Sequence, residues 1–83
     1  MRITVIEYHD NDGVFNLHKA FHGYKSYLIE DALIEAFSQS KAESAGLPLI
    51  SIDMYDEDGE HEDGDVFVSV EKAVKWWKNY FES

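Results

Sequence analysis

Hydrophobic and polar residues alternate at the start of the chain, which indicates a β-strand. In residues 2–8 the branched side chains of Ile3 and Val5 alternate with polar neighbours, as in a strand with one buried face. Residues 9–13 contain Asp, Asn and Gly, which favour a turn because Asx side chains bond nearby backbone and glycine tolerates a positive φ. A strand followed by a tight turn is therefore predicted.

Residues 14–24 allow two interpretations. Phe15, Leu17 and Phe21 share one face at a period of two, which favours a strand that returns along the first one. A short helix over residues 14–22 is the alternative, because Leu17, Ala20 and Phe21 also suit a period of about 3.6 residues. In the strand interpretation the opposite face carries Val14, Asn16, His18, Ala20 and His22.

Two later segments have helical periodicity. The first begins near Ser26, the predicted N-cap, and ends before Gly46 and Pro48, since these residue types terminate helices. The second begins at Ser69 and closes the chain. Their apolar stripes are Ile29, Leu33, Ala36 and Phe37 in the first helix, and Val70, Ala73, Val74, Trp77 and Phe81 in the second.

Two further strands complete the predicted fold. Residues 49–55 alternate Ile50, Ile52 and Met54 with polar residues, and residues 66–70 place valine at every second position. We therefore predict one α+β domain over residues 1–83 with the order ββαββα, in which two helices pack on one face of a four-stranded, mainly antiparallel sheet. No internal repeat is predicted, and residues 53–65 are expected to form a hairpin loop between the last two strands.

The composition excludes several classes of protein. With 45% hydrophobic residues, 14% aromatic residues and no cysteine, the chain should fold around a core without disulfides or thiolate metal sites. No apolar run approaches about 18 residues, so we expect no membrane span and a cytoplasmic location. The serines and glycines form no nucleophile elbow, P-loop or dinucleotide-binding spacing. Neither an enzyme nor a bound cofactor is expected.

The net charge of -10 is concentrated in residues 53–65, which we call the acidic segment. It holds eight of the seventeen acids and no Lys or Arg, so the other seventy residues carry nine acids against seven bases, a net charge of -2. Direct binding to nucleic acid or to an anionic membrane is not expected, since both require cations on the protein. The charge therefore indicates one site rather than a property of the whole chain.

Binding to a basic protein is the function that the acidic segment favours. Along a hairpin arm its carboxylates would be spaced about 3 Å apart, within a factor of about two of the charge spacing of B-DNA. In size, charge and lack of a catalytic motif the chain resembles the small acidic proteins that phages and mobile elements use against host nucleases: DNA mimics, anti-restriction and anti-CRISPR proteins, and immunity proteins. The resemblance implies a basic nucleic-acid-handling partner, a nuclease or CRISPR effector. It rests on no matched motif, so it assigns no site residue.

Two aromatic residues near the C-terminus extend the predicted site. Trp76 and Tyr80 fall outside the buried stripe of the last helix, and exposed Trp and Tyr often anchor partners. A homodimer formed through these two residues and an exposed strand edge, with the acidic segment as a solubiliser, is an alternative function. The predicted partner-binding residues are Asp53, Asp56, Glu57, Asp58, Glu60, Glu62, Asp63, Asp65, Trp76 and Tyr80.

A divalent-metal-binding module is the second alternative. Its ligands would be Asp56, Asp58, Glu60, His61, Glu62 and Asp63. The spacing does not fit an EF-hand, because Met54 would occupy the first ligand position. On a strand His18 and His22 would share a face but lie too far apart for one ion. No metal is therefore assigned to the preferred function.

Overall fold

The computed structural model describes residues 2–44 and 46–82, which form four strands and two helices. The elements are β1 (Ile3–His9), β2 (Phe15–His22), α1 (Ser26–Glu43), β3 (Ile50–Tyr55), β4 (His61–Phe67) and α2 (Val70–Glu82). The strands form one antiparallel sheet in the order β2-β1-β3-β4, so β2 and β4 are its edges. The predicted α+β fold with the order ββαββα is confirmed, and β2 replaces the alternative helix.

Both helices pack against one face of the sheet, and the core lies between them and the sheet. Ile6 on β1 and Ile52 on β3 lie directly opposite each other and are fully buried. Leu33 of α1 and Trp77 of α2 meet them in the same apolar cluster. Removing side chains of this size from water stabilises the fold by about 1.5–3 kcal/mol each. The other face of the sheet, which we call the open face, is not covered by any described element.

α1 is fixed against the sheet at its C-terminal end. The buried Ser40 hydroxyl donates to the His9 carbonyl (2.7 Å) and accepts from the Leu49 N–H (3.0 Å). Because a buried hydroxyl must be paired, Ser40 holds the end of the helix beside the end of β1 and the start of β3. At the other end the prediction of Ser26 as N-cap is wrong. Ser26 is the first helical residue, and Lys25 precedes it without a side-chain cap.

α2 is joined to the opposite end of the chain by a buried indole. The Ser69 hydroxyl accepts from the Lys72 N–H (3.3 Å) and caps the helix. About two turns further on, the Trp77 indole N–H donates to the Thr4 hydroxyl oxygen (2.9 Å), and both side chains are fully buried. The Thr4 hydroxyl in turn donates to the Met54 sulfur (3.6 Å). This chain of contacts links α2, β1 and β3.

A β-bulge in β2 changes the direction of its side chains. The register with β1 shifts so that Leu17 lies opposite Glu7 and His18 is the additional residue. Phe21 therefore faces the helices and is buried, whereas Leu17 lies on the open face and is 65% exposed. The prediction that these two residues and Phe15 share a face is wrong, because a period of two cannot reveal an inserted residue.

The acidic segment is mostly strand rather than loop. Residues 53–55 end β3 and residues 61–65 belong to β4, so the connecting turn is limited to residues 56–60. β4 also ends at Phe67, whereas residues 66–70 were the expected strand. Asp, Glu and Gly have low strand propensity, and pairing with the buried β3 outweighs it. The acids are thus held on an edge strand.

The two hairpins are closed by the same turn. The carboxylates of Asp10 and Asp56 each accept from the N–H groups two and four residues later, at 2.9 to 3.1 Å. Gly13 and Gly59 follow with φ of 80° and 84°, values that only glycine adopts easily. The motif Asp-x-Asp-Gly therefore occurs twice, 46 residues apart.

An approximate twofold axis relates the two ββα halves of the chain. Equivalent residues are 46 positions apart, as Ile6 and Ile52 are, and these two pair at the centre of the sheet. Lys19 pairs with Ile6, and Asp65 pairs with Ile52. The edge strands β2 and β4 are therefore equivalent, with Lys19 in the position of Asp65.

The buried pair of Thr4 and Trp77 gives the first testable prediction. Thr4→Val keeps the shape of the side chain but leaves the indole N–H without an acceptor, so the free energy of unfolding should fall by about 1–3 kcal/mol. Denaturant unfolding with an unchanged m-value measures this loss. Thr4→Ser, which keeps the hydroxyl, is the control and should lose less. A Val variant more stable than the Ser variant would contradict this role of the hydrogen bond.

Candidate functional site

The acidic segment forms the β3–β4 turn and the exposed edge of the sheet, and the structure separates its acids into groups. Asp53 lies on β3 and points to the open face. Four acids lie on the turn, and three lie on β4. Those on the turn are Asp56, Glu57, Asp58 and Glu60, and those on β4 are Glu62, Asp63 and Asp65.

Asp56 and Asp53 stabilise the β3–β4 hairpin. Asp56 organises the turn through the two N–H groups it accepts from, those of Asp58 and Glu60 (2.9 Å each). Asp53 lies 2.9 Å from the Nε2 atom of His61, across the cross-strand position of Gly64. A β-carbon at Gly64 would overlap Asp53 Oδ1 and lie 3.0 Å from the Ile52 carbonyl oxygen, so a larger residue there would displace the Asp53 carboxylate.

Glu62 is the centre of a small polar cluster between β4 and α2. It sits at a bulge in β4, accepts from the Tyr80 hydroxyl (2.9 Å) and accepts from Arg2 Nε (3.1 Å). The Arg2 guanidinium also lies over the Tyr80 ring, 5.2 Å from its centre. Burial raises the pKa of Tyr80, the Glu62 carboxylate raises it further, and Arg2 opposes both effects. Glu62 is therefore already paired within the molecule.

Asp63 and Asp65 close the free edge of β4. The Asp63 carboxylate accepts from the Gly64 N–H, and the Asp65 carboxylate accepts from the Val66 N–H, each at 2.8 Å. In the antiparallel ladder residues 63 and 65 bond to β3, so the N–H groups of residues 64 and 66 point away from the sheet. These two acids therefore cap the donors that would otherwise recruit another strand.

The remaining acids are exposed at one corner of the molecule. Within residues 2–44 and 46–82, no Lys, Arg or His forms an ion pair with Asp58, Glu60, Asp63 or Asp65. Beside them lies a cleft of about 340 Å³ lined by Arg2, Asp56, Glu57 and Glu62. The result is a corner of unneutralised carboxylates beside a single paired arginine.

Trp76 and Tyr80 are brought next to this corner but are half-buried. Trp76 packs on Phe67 of β4 with ring centres 5.7 Å apart, and it stacks on Tyr80 at 5.8 Å. The two rings form a side wall of β4. The structure thus places all ten predicted partner-binding residues on or beside the β3–β4 hairpin. The rings of Trp76 and Tyr80 are less exposed than aromatic anchors that stand alone on a surface.

The arrangement gives no support to a metal site. In the described part of the chain, no group of three or more His, Asp and Glu side chains lies close enough to hold an ion. His18 lies 3.2 Å from Glu35 of α1, whereas His22 pairs with Ile3 on the open face, so the two histidines do not share a face. Among the described residues, no helix is long and apolar enough to cross a membrane.

Comparison of the chain with protein-family models, with curated proteins and with solved structures finds no match.

Sequence reasoning missed Arg2 and the capping role of two aspartates. Arg2 lies sixty residues from Glu62, and the pairing of β1 with β3 brings them together. The capping role could be predicted only by knowing that β4 is an edge strand and that the N–H groups of residues 64 and 66 point outward. The signal that was present is the repeated Asp-x-Asp-Gly motif, which marks the second turn at residues 56–60 and therefore the start of β4.

Removal of the β4 caps should promote association. Asp63→Ala with Asp65→Ala uncovers two N–H donors and removes two charges, so species larger than the wild type should appear at micromolar concentration in sedimentation velocity. The control Asp63→Asn with Asp65→Asn loses the same charge but keeps an oxygen acceptor at each position. It should associate less than the Ala variant. Equal association of the two variants would show that charge, not capping, protects the edge.

The polar cluster at Glu62 predicts a change in a tyrosine pKa. Glu62→Gln removes the negative charge that disfavours ionisation of Tyr80, so the pKa of Tyr80 should fall. Stability from the raised value is complete below the ordinary tyrosine pKa of about 10 and is lost as the pH rises through the folded-state value. Titration of the Tyr80 ring carbon by NMR measures the shift. An unchanged pKa would contradict the contact.

Proposed function

We propose that this protein is a non-enzymatic inhibitor whose acidic corner, residues 56–65, occupies a basic nucleic-acid-binding groove of a partner protein. The partner class is a nuclease or CRISPR effector, and a phage or mobile element is the expected source. The observation that carries the proposal is a set of four exposed carboxylates on the turn and the edge strand that form no ion pair with a described Lys, Arg or His. Asp58, Glu60, Asp63 and Asp65 are its main contacts.

The geometry suits a groove lined by Lys and Arg. Asp63 and Asp65 are two residues apart on one strand, and therefore about 6.6 Å apart along it, with Glu60 and Asp58 continuing the row around the turn. One strand of duplex DNA presents a charge about every 3.4 Å, so the spacing differs by a factor of about two. A row of this length fits one recognition or strand-entry site rather than a long duplex channel.

Capping of the edge is compatible with binding. Each capping carboxylate uses its Oδ1 atom for the neighbouring N–H. An ionised carboxylate has two oxygens and about four acceptor positions, so Oδ2 stays available to a Lys or Arg of the partner. Caps also hold the side chains in place before binding, which lowers the entropy lost on association. One pair of residues thus supports both roles.

The test is capture of partner proteins on the immobilised protein from a host lysate, at low and high salt, followed by elution with duplex DNA. The variant combines Asp58→Asn, Glu60→Gln, Asp63→Asn and Asp65→Asn, which keeps the caps and removes four charges. We expect wild-type binding to be salt-sensitive and competed by DNA, and the variant to bind at least tenfold more weakly.

A matched control removes four charges elsewhere. It combines Asp12→Asn in the other turn with Glu30→Gln, Asp31→Asn and Glu71→Gln, all at exposed positions. This control has the net charge of the test variant and should bind like the wild type. Equal loss in both variants would mean that total charge, not the acidic corner, drives binding. Undiminished binding by the test variant would disprove the proposed function.

A further inference from the structure

The two edges of the sheet are equivalent by the internal twofold, yet only one is closed. At the end of β2 the Gly23 N–H donates to the Arg2 carbonyl (2.7 Å), so Arg2 and Gly23 form a hydrogen-bonded pair of the β1–β2 ladder. Alternation along the ladder then directs the N–H and C=O groups of Ala20 and His22 away from β1. At the other end of β2 the Asp10 N–H donates to the Val14 carbonyl, so the ladder alternates from that end in the same way. β2 therefore presents free strand-pairing groups.

No described side chain caps these groups. On β4 the carboxylate of Asp65 covers the next N–H, but the equivalent residue on β2 is Lys19, which has no acceptor. Asn16, the residue before Leu17, is engaged elsewhere, because its amide donates to Asp10 and to the Val14 carbonyl. The device that closes β4 is thus absent from the described part of β2.

The two edge strands also differ in their content of acidic residues. β2 contains no acid, whereas β4 contains three. Apolar side chains are also exposed along β2 and at its ends, with Val14 52%, Leu17 65% and Tyr24 49% exposed. Lys19 is the one Lys or Arg on β2, so this edge is free of acids and partly apolar, and its outward backbone groups can accept another strand.

We propose that β2 pairs with β2 of a second copy of this chain across a twofold axis, joining two four-stranded sheets into one. Two identical strands related by a twofold axis perpendicular to the sheet are antiparallel, as this ladder requires. A second copy also supplies an edge of the same length and without acids. The inference is independent of the proposed function, although it would place one acidic corner at each end of the assembly.

Electrostatics favours this pairing over one of β4 with β4, and the caps on β4 disfavour one of β2 with β4. Across β2 the two β4 strands would be separated by seven strand spacings, about 34 Å, several times the Debye length of about 8 Å at physiological salt. Pairing of β4 with β4 would instead place the acids of both copies side by side. Head-to-tail pairing of β2 with β4 is disfavoured because Asp63 and Asp65 already occupy the outward donors of β4.

The interface should be small. A strand of eight residues is about 26 Å long, and one added strand buries less than the roughly 800 Å² per partner of a standard interface. A dimer that dissociates at micromolar concentration is therefore expected rather than a permanent one.

The test is sedimentation velocity of the full chain from about 1 μM to about 1 mM, with a variant that copies the β4 cap onto β2. Lys19→Asp places a carboxylate before the Ala20 N–H, as Asp65 stands before Val66. We expect the wild type to form a dimer and Lys19→Asp to weaken it at least tenfold. The control Lys72→Asp makes the same charge change at an exposed position on α2 and should dimerise like the wild type.

A second variant guards against misfolding of the first. Ala20→Pro removes an N–H that points away from β1, a change that edge strands tolerate, and circular dichroism should show a retained fold. This variant should also be monomeric. A wild type that stays monomeric throughout, a Lys19→Asp protein that dimerises normally, or open-ended polymers of the wild type would each overturn the proposal.

Discussion

The fold depends on one buried hydrogen bond, from the indole of Trp77 to the hydroxyl of Thr4. A buried indole N–H is costly without an acceptor. Thr4, the second residue of the first strand β1, supplies that acceptor. The bond therefore joins the last helix to the first strand and closes the chain on itself. Once α2 is seated there, Trp76 and Tyr80 lie against β4, and the Tyr80 hydroxyl reaches Glu62. The geometry of the acidic edge thus follows from the core.

The sheet is nearly symmetric in topology, and its two edges differ in sequence. Two ββα halves meet at the pair of Ile6 and Ile52, and each ends its hairpin with the same turn. Such a sheet starts with two equivalent edges, each able to recruit a strand. Acids on β4 close one of them, and each capping carboxylate keeps a second oxygen that the proposed basic partner would bind. On β2, Lys19 stands where β4 carries Asp65. The residues at these edge positions, Asp63 and Asp65 on β4 against Leu17 and Lys19 on β2, therefore separate the two edges.

Periodicity was sufficient for the order of elements and for both helical stripes, because burial of one face imposes a regular pattern. It failed where the pattern is interrupted, at the bulge of His18, which turned Leu17 to the open face. It also failed on β4. The single residues of β4 have low strand propensity, and the strand forms because it pairs with β3, a contact that the local sequence does not reveal. The candidate acids were visible from composition alone. Their capping, and the pairing of Glu62 with Arg2, depend on contacts between distant residues.

The central claim is that acids close the β4 edge while the β2 edge stays open to a second copy. Backbone amide hydrogen exchange, measured residue by residue at several protein concentrations, tests it most directly. Exchange at Ala20 and His22 should slow as the concentration rises, while exchange at Gly64 and Val66 should not change. Slowing at Gly64 and Val66, or constant exchange at all four residues, would contradict the claim.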